Sequence, residues 1–298
     1  MLIIDYPPHG GKRMIRLNNR IMLIPVFVVM SLFYFSAYCF AGAWTSKQGG
    51  MYNKFALNYY YADQNYNENG DKEDFPLNGE FSDYNFQYYM EYGLTDDLTV
   101  ITSLYYKYIK KEDDTILLKT WGVSDVDLGL KSKLLDTRAG VLSAQGLIKI
   151  PELYDANDPL PLGNGQYDFE LRLLYGLSLM PKFPGYLNAE FGYRFRTEDP
   201  SDEWRYLLEF GMDLGKKAYA RVKLDGIKSA NNGRIASGTV ENPTLTNNFD
   251  LGKLDMALGY KLLEKWSVEI SYTPEIYGEN TSAGRTCALA LVYMFDGK

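Results

Sequence analysis

Histidine is nearly absent from this 298-residue sequence. Its one copy, His9, lies ahead of an apolar stretch, residues 21–40, that reads as an export signal, so the mature chain has none. A Ser/His/Asp or Cys/His catalytic site is thereby excluded, as is a metal centre ligated by imidazole. Cysteine is equally scarce. Cys39 falls inside the same stretch and leaves Cys287 alone, so no internal disulfide can form. Positive charge is in deficit: 31 Lys and Arg face 38 Asp and Glu, a net −7 at pH 7, which points away from a nucleic-acid partner. Past residue 40 no apolar run reaches the ~18 residues that a spanning helix needs, and the mean hydropathy is negative, so a helical membrane bundle is excluded.

The amino-terminal part has its own pattern. Lys12, Arg13, Arg16 and Arg20 precede the apolar run, small residues Ala37, Ala41, Gly42 and Ala43 lie at its end, and no basic stop-transfer cluster comes next. This is the layout of a cleaved signal peptide, with cleavage near Ala41, rather than of a transmembrane helix, the other structure that a run of this length allows. Met14 serves as a start as well as Met1, since residues 1–13 add nothing that a signal needs. Cys39 is a poor lipoprotein acceptor because the bulky Tyr38 precedes it. Residues 1–41 are therefore assigned to an N-terminal extension and signal peptide, and 42–298 to one domain.

What the mature chain does have is aromatic residues, 15% of the sequence with 26 Tyr, which suits a barrel with aromatic girdles. They sit in alternating segments. At the end of the chain Cys287, Leu289, Leu291, Tyr293 and Phe295 form one row, and Ala288, Ala290, Val292 and Met294 the other. Period-two alternation ending in aromatics suits the closing strand of a membrane barrel. About twelve such segments can be read between residues 51 and 295. The fourth, placed at 124–134, sets Val126, Leu128 and Leu130 against Asp125, Asp127, Lys131 and Lys133. Connections after even-numbered segments are short, at 94–97, 135–139, 180–184, 214–217 and 261–265. Those after odd-numbered ones are longer and polar, at 62–82, 110–121, 151–166 and 230–250. The fold class is all-β: a transmembrane antiparallel up-and-down barrel in the outer membrane of a Gram-negative bacterium, with both termini on the short-turn side. Neither a plug nor an internal helix is evident.

The apolar rows then face lipid and the charged rows a polar lumen. The lumen-lining candidates are Asp168, Glu170, Arg172, Glu190, Arg194 and Arg196 on the sixth and seventh segments. Arg205, Glu209, Arg221, Lys223 and Asp225 join them from the eighth and ninth. Folding about the short turns sets Asp168 opposite Arg196, Glu170 opposite Arg194, Glu209 opposite Arg221 and Arg205 opposite Asp225, each pair favourable by a fraction of a kcal/mol. The arginines and Lys223 form a cationic group that either selects anionic solutes or fills the interior with ion pairs. The carboxylate pairs Asp125/Asp127 and Asp168/Glu170 are better suited to salt bridges than to acid–base catalysis, so the chain is not expected to be an enzyme. Two loops stand out. The loop at 62–82 carries Asp63, Glu68, Asp71, Glu73, Asp74 and Glu80, a solvated surface or a divalent-cation bridge to lipopolysaccharide, though its spacing fits no EF-hand. The other, 155–166, with Pro159, Pro161, Gly163 and Gly165, is either a plain connection or a constriction folded into the mouth.

The segments 124–135 (SDVDLGLKSKLL), 162–176 (LGNGQYDFELRLLYG) and 184–196 (PGYLNAEFGYRFR) carry a resemblance. With them the mature chain resembles outer-membrane barrels of the meta-pathway phenol-degradation type, and more distantly the hydrophobic-compound transporters of the outer membrane. The resemblance implies a barrel of roughly twelve strands and uptake of small, aromatic or hydrophobic compounds. It carries no catalytic or binding residues over, and the chain departs from the usual barrel ending because Asp296, Gly297 and Lys298 follow the last aromatic. The expected function is a channel or transporter of small solutes without a cofactor. The alternative is a structural or interaction barrel with a salt-bridged, closed lumen and outer loops that bind a partner or glycan. Expected partners are outer-membrane lipid and lipopolysaccharide, the barrel-insertion machinery through the C-terminal strand, and the solute.

Overall fold

The computed structural model describes residues 42–233 and 248–297. The basic flank, the apolar run and the cleavage position near Ala41 lie outside the described residues, as does most of the connection placed at 230–250.

Among the described residues, twelve strands form one closed antiparallel barrel. In chain order they are β1 (Met51–Ala62), β2 (Glu80–Thr95), β3 (Leu98–Glu112), β4 (Leu117–Thr137), β5 (Gly140–Ile150) and β6 (Asp168–Ser178), then β7 (Gly185–Arg196), β8 (Glu203–Leu214), β9 (Ala218–Ser229), β10 (Asp250–Lys261), β11 (Trp266–Glu279) and β12 (Arg285–Phe295). Each pairs with its neighbours in sequence, and β1 closes the wall against β12, from Met51 opposite Phe295 to Tyr61 opposite Arg285. Closure gives every strand of the wall a partner on each side, which is what a sheet in hydrocarbon requires. The outward rows are apolar and bare: Leu171 is 66% exposed, Leu57 62% and Phe191 56%. In water a surface of this kind would drive association, whereas in a bilayer it is the stable face. Trp266 packs on Tyr293 and the Lys265 ammonium lies 4.6 Å from the Phe295 ring, an amphipathic belt at the short-turn rim.

Three local features depart from the sequence reading. First, β4 begins at Leu117 rather than Ser124, so the connection after β3 shrinks to residues 113–116. A bulge explains this. Leu104 pairs with Val126 but Tyr106 with Val123, so one extra residue sits on β4 at Ser124–Asp125. The extra residue flips the alternation: Leu128 and Leu130 face outward below it, Leu117 and Trp121 above it.

Second, the β8–β9 register differs. Leu214 pairs with Ala218 around Gly215 (φ 85°), which puts Glu209 opposite Lys223 and Arg221 opposite Gly211, with Leu207 opposite Asp225. The slip is two residues, so every side chain keeps its face. The β6–β7 pairs fall as the register argument places them, Asp168 opposite Arg196 and Glu170 opposite Arg194.

Third, the chain ahead of β1 enters the barrel from the short-turn rim. Ala43 is fully buried against Val141 and Leu174 of the inward rows, with Trp44 beside them. Its carbonyl accepts from Ser143 Oγ at 2.5 Å and its amide donates to Asn188 Oδ1 at 3.1 Å. Lys131 Nζ donates to the Gly42 carbonyl at 2.9 Å, and the Ser46 amide to Thr99 Oγ1 at 2.9 Å. No periodic pattern in this stretch announces it, because the contacts come from five separate strands.

Candidate functional site

The lumen has three levels. Nearest the long loops is a vestibule, a cavity of about 540 Å³. The connection between β5 and β6 folds into its mouth. Leu160 and Leu162 are buried with Ala62, Phe75, Phe81 and Ile109 in a small apolar cluster. The Leu162 carbonyl accepts from Ser124 Oγ at 2.7 Å. Tyr154 donates to Asp125 Oδ1 at 2.7 Å while accepting from the Gly165 amide at 2.8 Å. Burial and the Asp125 carboxylate together push the Tyr154 phenol well above its ordinary range, so it stays a donor at any physiological pH. The loop is thus a constriction pinned to the wall, not a plain connection.

The acidic loop after β1 forms a small sheet, Gln64–Tyr66 between Lys72–Asp74 and Thr281–Ser282. Asn67 Oδ1 holds its turn by accepting from the Asn69 and Asp71 amides at 2.9 and 3.0 Å. No group of three His, Cys, Asp or Glu side chains able to hold a metal occurs among the described residues.

Below the vestibule the inward rows of β6–β9 form a belt of ion pairs. Glu170, 1% exposed, is clamped by two guanidiniums, Arg172 through Nη2 at 2.5 Å and Nε at 2.8 Å, Arg194 through Nη2 at 2.8 Å and Nε at 3.0 Å. Arg172 also reaches Glu190 at 2.5 Å. Asp168 takes Lys149 Nζ at 2.9 Å and Arg196 Nε at 3.7 Å. Glu203 gathers Arg196 at 3.1 Å, Arg194 at 3.5 Å and Arg205 at 3.6 Å, and Arg205 continues to Asp225 at 3.7 Å. A second group lies further round. Arg221 meets Asp255 and Glu269 at 3.2 Å each and Glu209 at 3.8 Å, while Lys54 also pairs with Glu269 and Tyr186 donates to Glu209 at 2.6 Å. Lys223 lies across the strand from Asp255.

Every arginine of the cationic group is therefore matched by carboxylate, and among the described residues no free guanidinium field points into the lumen. Diagonal contacts replace two of the direct cross-strand pairs, Arg221–Glu209 and Arg205–Asp225, as the two-residue register difference requires. Asp168 is bound by three cations and Glu170 by two, an arrangement for neutralising charge rather than moving protons.

The belt also uses residues outside the candidate set: Lys54, Lys149, Glu203, Asp255 and Glu269, with a separate buried pair, Lys131–Glu91 at 2.9 Å. Lys149, Asp255, Glu269, Lys131 and Glu91 stand on polar rows that the alternation reveals. Only barrel closure shows that β1 and β11 meet β9. The third level, at the short-turn end, is the inserted segment at 42–46.

No protein-family model matches the chain, and no curated protein sequence matches it. Solved structures do. An outer membrane channel from Pseudomonas putida F1 superposes with a TM-score of 0.69 at 16% identity, over 85% of this chain and 98% of that one. The translocator domain of the autotransporter NalP from Neisseria meningitidis matches more loosely, TM-score 0.48 and 12% identity over 93% and 96% of the two chains. So does the P. putida toluene transporter TodX, TM-score 0.46 and 8% identity over 84% and 91%. With its closed wall, apolar exterior and charged interior, the chain is a twelve-stranded transmembrane β-barrel of the Gram-negative outer membrane, with the fold of the P. putida channel.

Proposed function

We propose that the protein is an outer-membrane channel or transporter for small solutes, aromatic or hydrophobic compounds among them. The observation that carries this reading is the vestibule, a polar and partly aromatic cavity of about 540 Å³ held inside a wall whose outer face is apolar. Tyr60, Phe81, Tyr105 and Leu162 give it apolar surface, and Asn58, Asn85 and Gln87 give it hydrogen-bonding groups. The fold shared with a protein described as an outer membrane channel adds weight.

Lipid and lipopolysaccharide are the partners of the outer face. The C-terminal row, ending at Phe295, is the feature we assign to the insertion machinery.

The test is single-channel conductance in planar bilayers, wild type beside Arg194→Ala and Arg221→Ala. Discrete steps are expected, with selectivity moving toward cations in both variants because each removes one positive charge from a lumen whose carboxylates remain. A silent membrane, with folded protein shown by heat-modifiable gel migration, would overturn the reading. A closed structural barrel with partner-binding loops would then take its place. That second reading draws on the ion-paired belt and the inserted segment at 42–46.

A further inference from the structure

We infer that the vestibule is a binding site for small organic cations, anchored by the carboxylate of Asp127. The inference deepens the transport reading and rests on it for the direction in which the ligand travels.

The argument is one of charge balance within the cavity wall. Lys107 is 3.7 Å from Asp83, and Lys253 is 3.8 Å from Glu275. Lys149 is held by Asp168, Arg194 by Glu170 and Arg196 by Glu203. The wall's cations are thus all occupied. Asp127 is not. It lines the same cavity, and among the described residues nothing donates a hydrogen bond to it or forms an ion pair with it within 4 Å. Its cross-strand neighbours are Ser103 and Lys149, and the Lys149 ammonium is turned to Asp168. A carboxylate in a cleft walled off from lipid, with every nearby cation committed elsewhere, is placed to accept a counter-charge from solution.

The chemistry of that counter-charge follows from the rest of the wall. A bare divalent ion takes six to eight oxygen ligands or a near-octahedral set, and one carboxylate does not supply them. The cavity of about 540 Å³ is far larger than an ion, and Tyr60, Phe81, Tyr105 and Leu162 offer apolar and aromatic surface to an organic body. A protonated amine on a small apolar or aromatic frame satisfies both, its N–H groups donating to Asp127 and its body lying on the rings.

The test is calorimetric titration of the purified protein in detergent with three ligands of one frame: benzylammonium, benzyl alcohol and benzoate, at pH 8. Wild type is expected to bind benzylammonium at least about tenfold more tightly than the other two, the scale of one charge-assisted hydrogen bond. In Asp127→Asn that preference is expected to vanish while benzyl alcohol binding is kept. Lys216→Gln, on the short turn between β8 and β9, is expected to keep the preference. Equal binding of all three ligands by wild type would overturn the inference without any variant. A preference for benzoate, or one that survives Asp127→Asn, would also overturn it. Binding does not depend on conductance. A silent bilayer beside a clear benzylammonium preference would therefore refute transport and leave the site standing.

Discussion

Replacing Glu170 by Gln tests the central feature of the lumen. The wild-type carboxylate accepts one hydrogen bond from the Nε of each of Arg172 and Arg194, has the Nη2 of each within 2.8 Å as well, and is 1% exposed. Removing one partner of a buried pair typically costs about 3–5 kcal/mol, because the surviving charge stays buried without compensation. Here the survivors retain something: Arg172 keeps Glu190 at 2.5 Å, and Arg194 keeps Glu203 at 3.5 Å and Asp168 at 4.0 Å. The lower end, about 3 kcal/mol, is therefore expected. For a chain of this size that corresponds to a fall of about 6–12 °C in the unfolding temperature. The assay is the temperature at which the folded band is lost in heat-modifiable gel migration.

Arg194→Gln should cost a similar amount. The double variant should cost clearly less than the two together, since removing both members of a pair strands neither. A shift under about 2 °C for Glu170→Gln, or strict additivity in the double variant, would refute the claim that this pair is buried and coupled.

Other perturbations follow from the same contacts. Gly176→Val sets a side chain within 2.7 Å of the Trp44 ring, so Trp44 and the inserted segment are expected to leave the lumen. Planar-bilayer conductance should rise and tryptophan emission shift to the red, and no change in either would show that the segment is not the block. Gly211→Val meets the Tyr186 ring at 2.1 Å and should cost about 1–3 kcal/mol by overpacking, read as earlier loss of the folded gel band.

Asp202, in the loop after β7, gives a pH dependence. Burial alone would raise its carboxyl, but the Arg196 amide, the Asn232 side chain and the Tyr193 hydroxyl all donate to it and hold it below the usual range. A depressed folded-state value stabilises above the unfolded value of about 3.9, and the effect is lost as the pH falls through the folded one. Asp202→Asn should therefore unfold earlier than wild type near neutrality, and the gap should close in acid. A gap that is constant with pH would refute this.

The strands were legible because two contrasting rows persist over ten or so residues in each, and only a membrane barrel puts the apolar row outside. The rows fail as a guide where one residue is added. The bulge at Ser124–Asp125 inverts the alternation, so Leu117, Lys119 and Trp121 fall out of phase with Leu128 and read as loop. Faces were legible where registers were not: Arg221 and Asp225 point inward whichever partner they oppose, and the turn at Gly215 decides the partner. The belt was half legible. Acids and bases on β6–β9 stand out in the sequence, but Glu269 reaches Arg221, and Lys54 reaches Glu269, only once the wall closes. The inserted segment was not legible at all, since its burial depends on five strands and on no pattern of its own.

The charges in this lumen also bear on what it is for. The belt fills the middle of this barrel with charged side chains, and apolar ones of matching volume are often as stabilising as buried ion pairs, or more so by about 1–4 kcal/mol. Stability by itself therefore does not require Glu170, Arg194, Glu203 and Arg196 to occupy the centre of the barrel. An apolar filling, once packed, has nothing to offer water or a polar solute. A row of carboxylates and guanidiniums, each touching more than one partner, can trade one contact for another as a solute passes, without stranding a charge. Glu170 has two cations and Asp168 three, each of the three shared with another carboxylate, whereas Asp127, on the vestibule wall, has none. A cation entering that vestibule therefore meets one carboxylate with nothing else to hold.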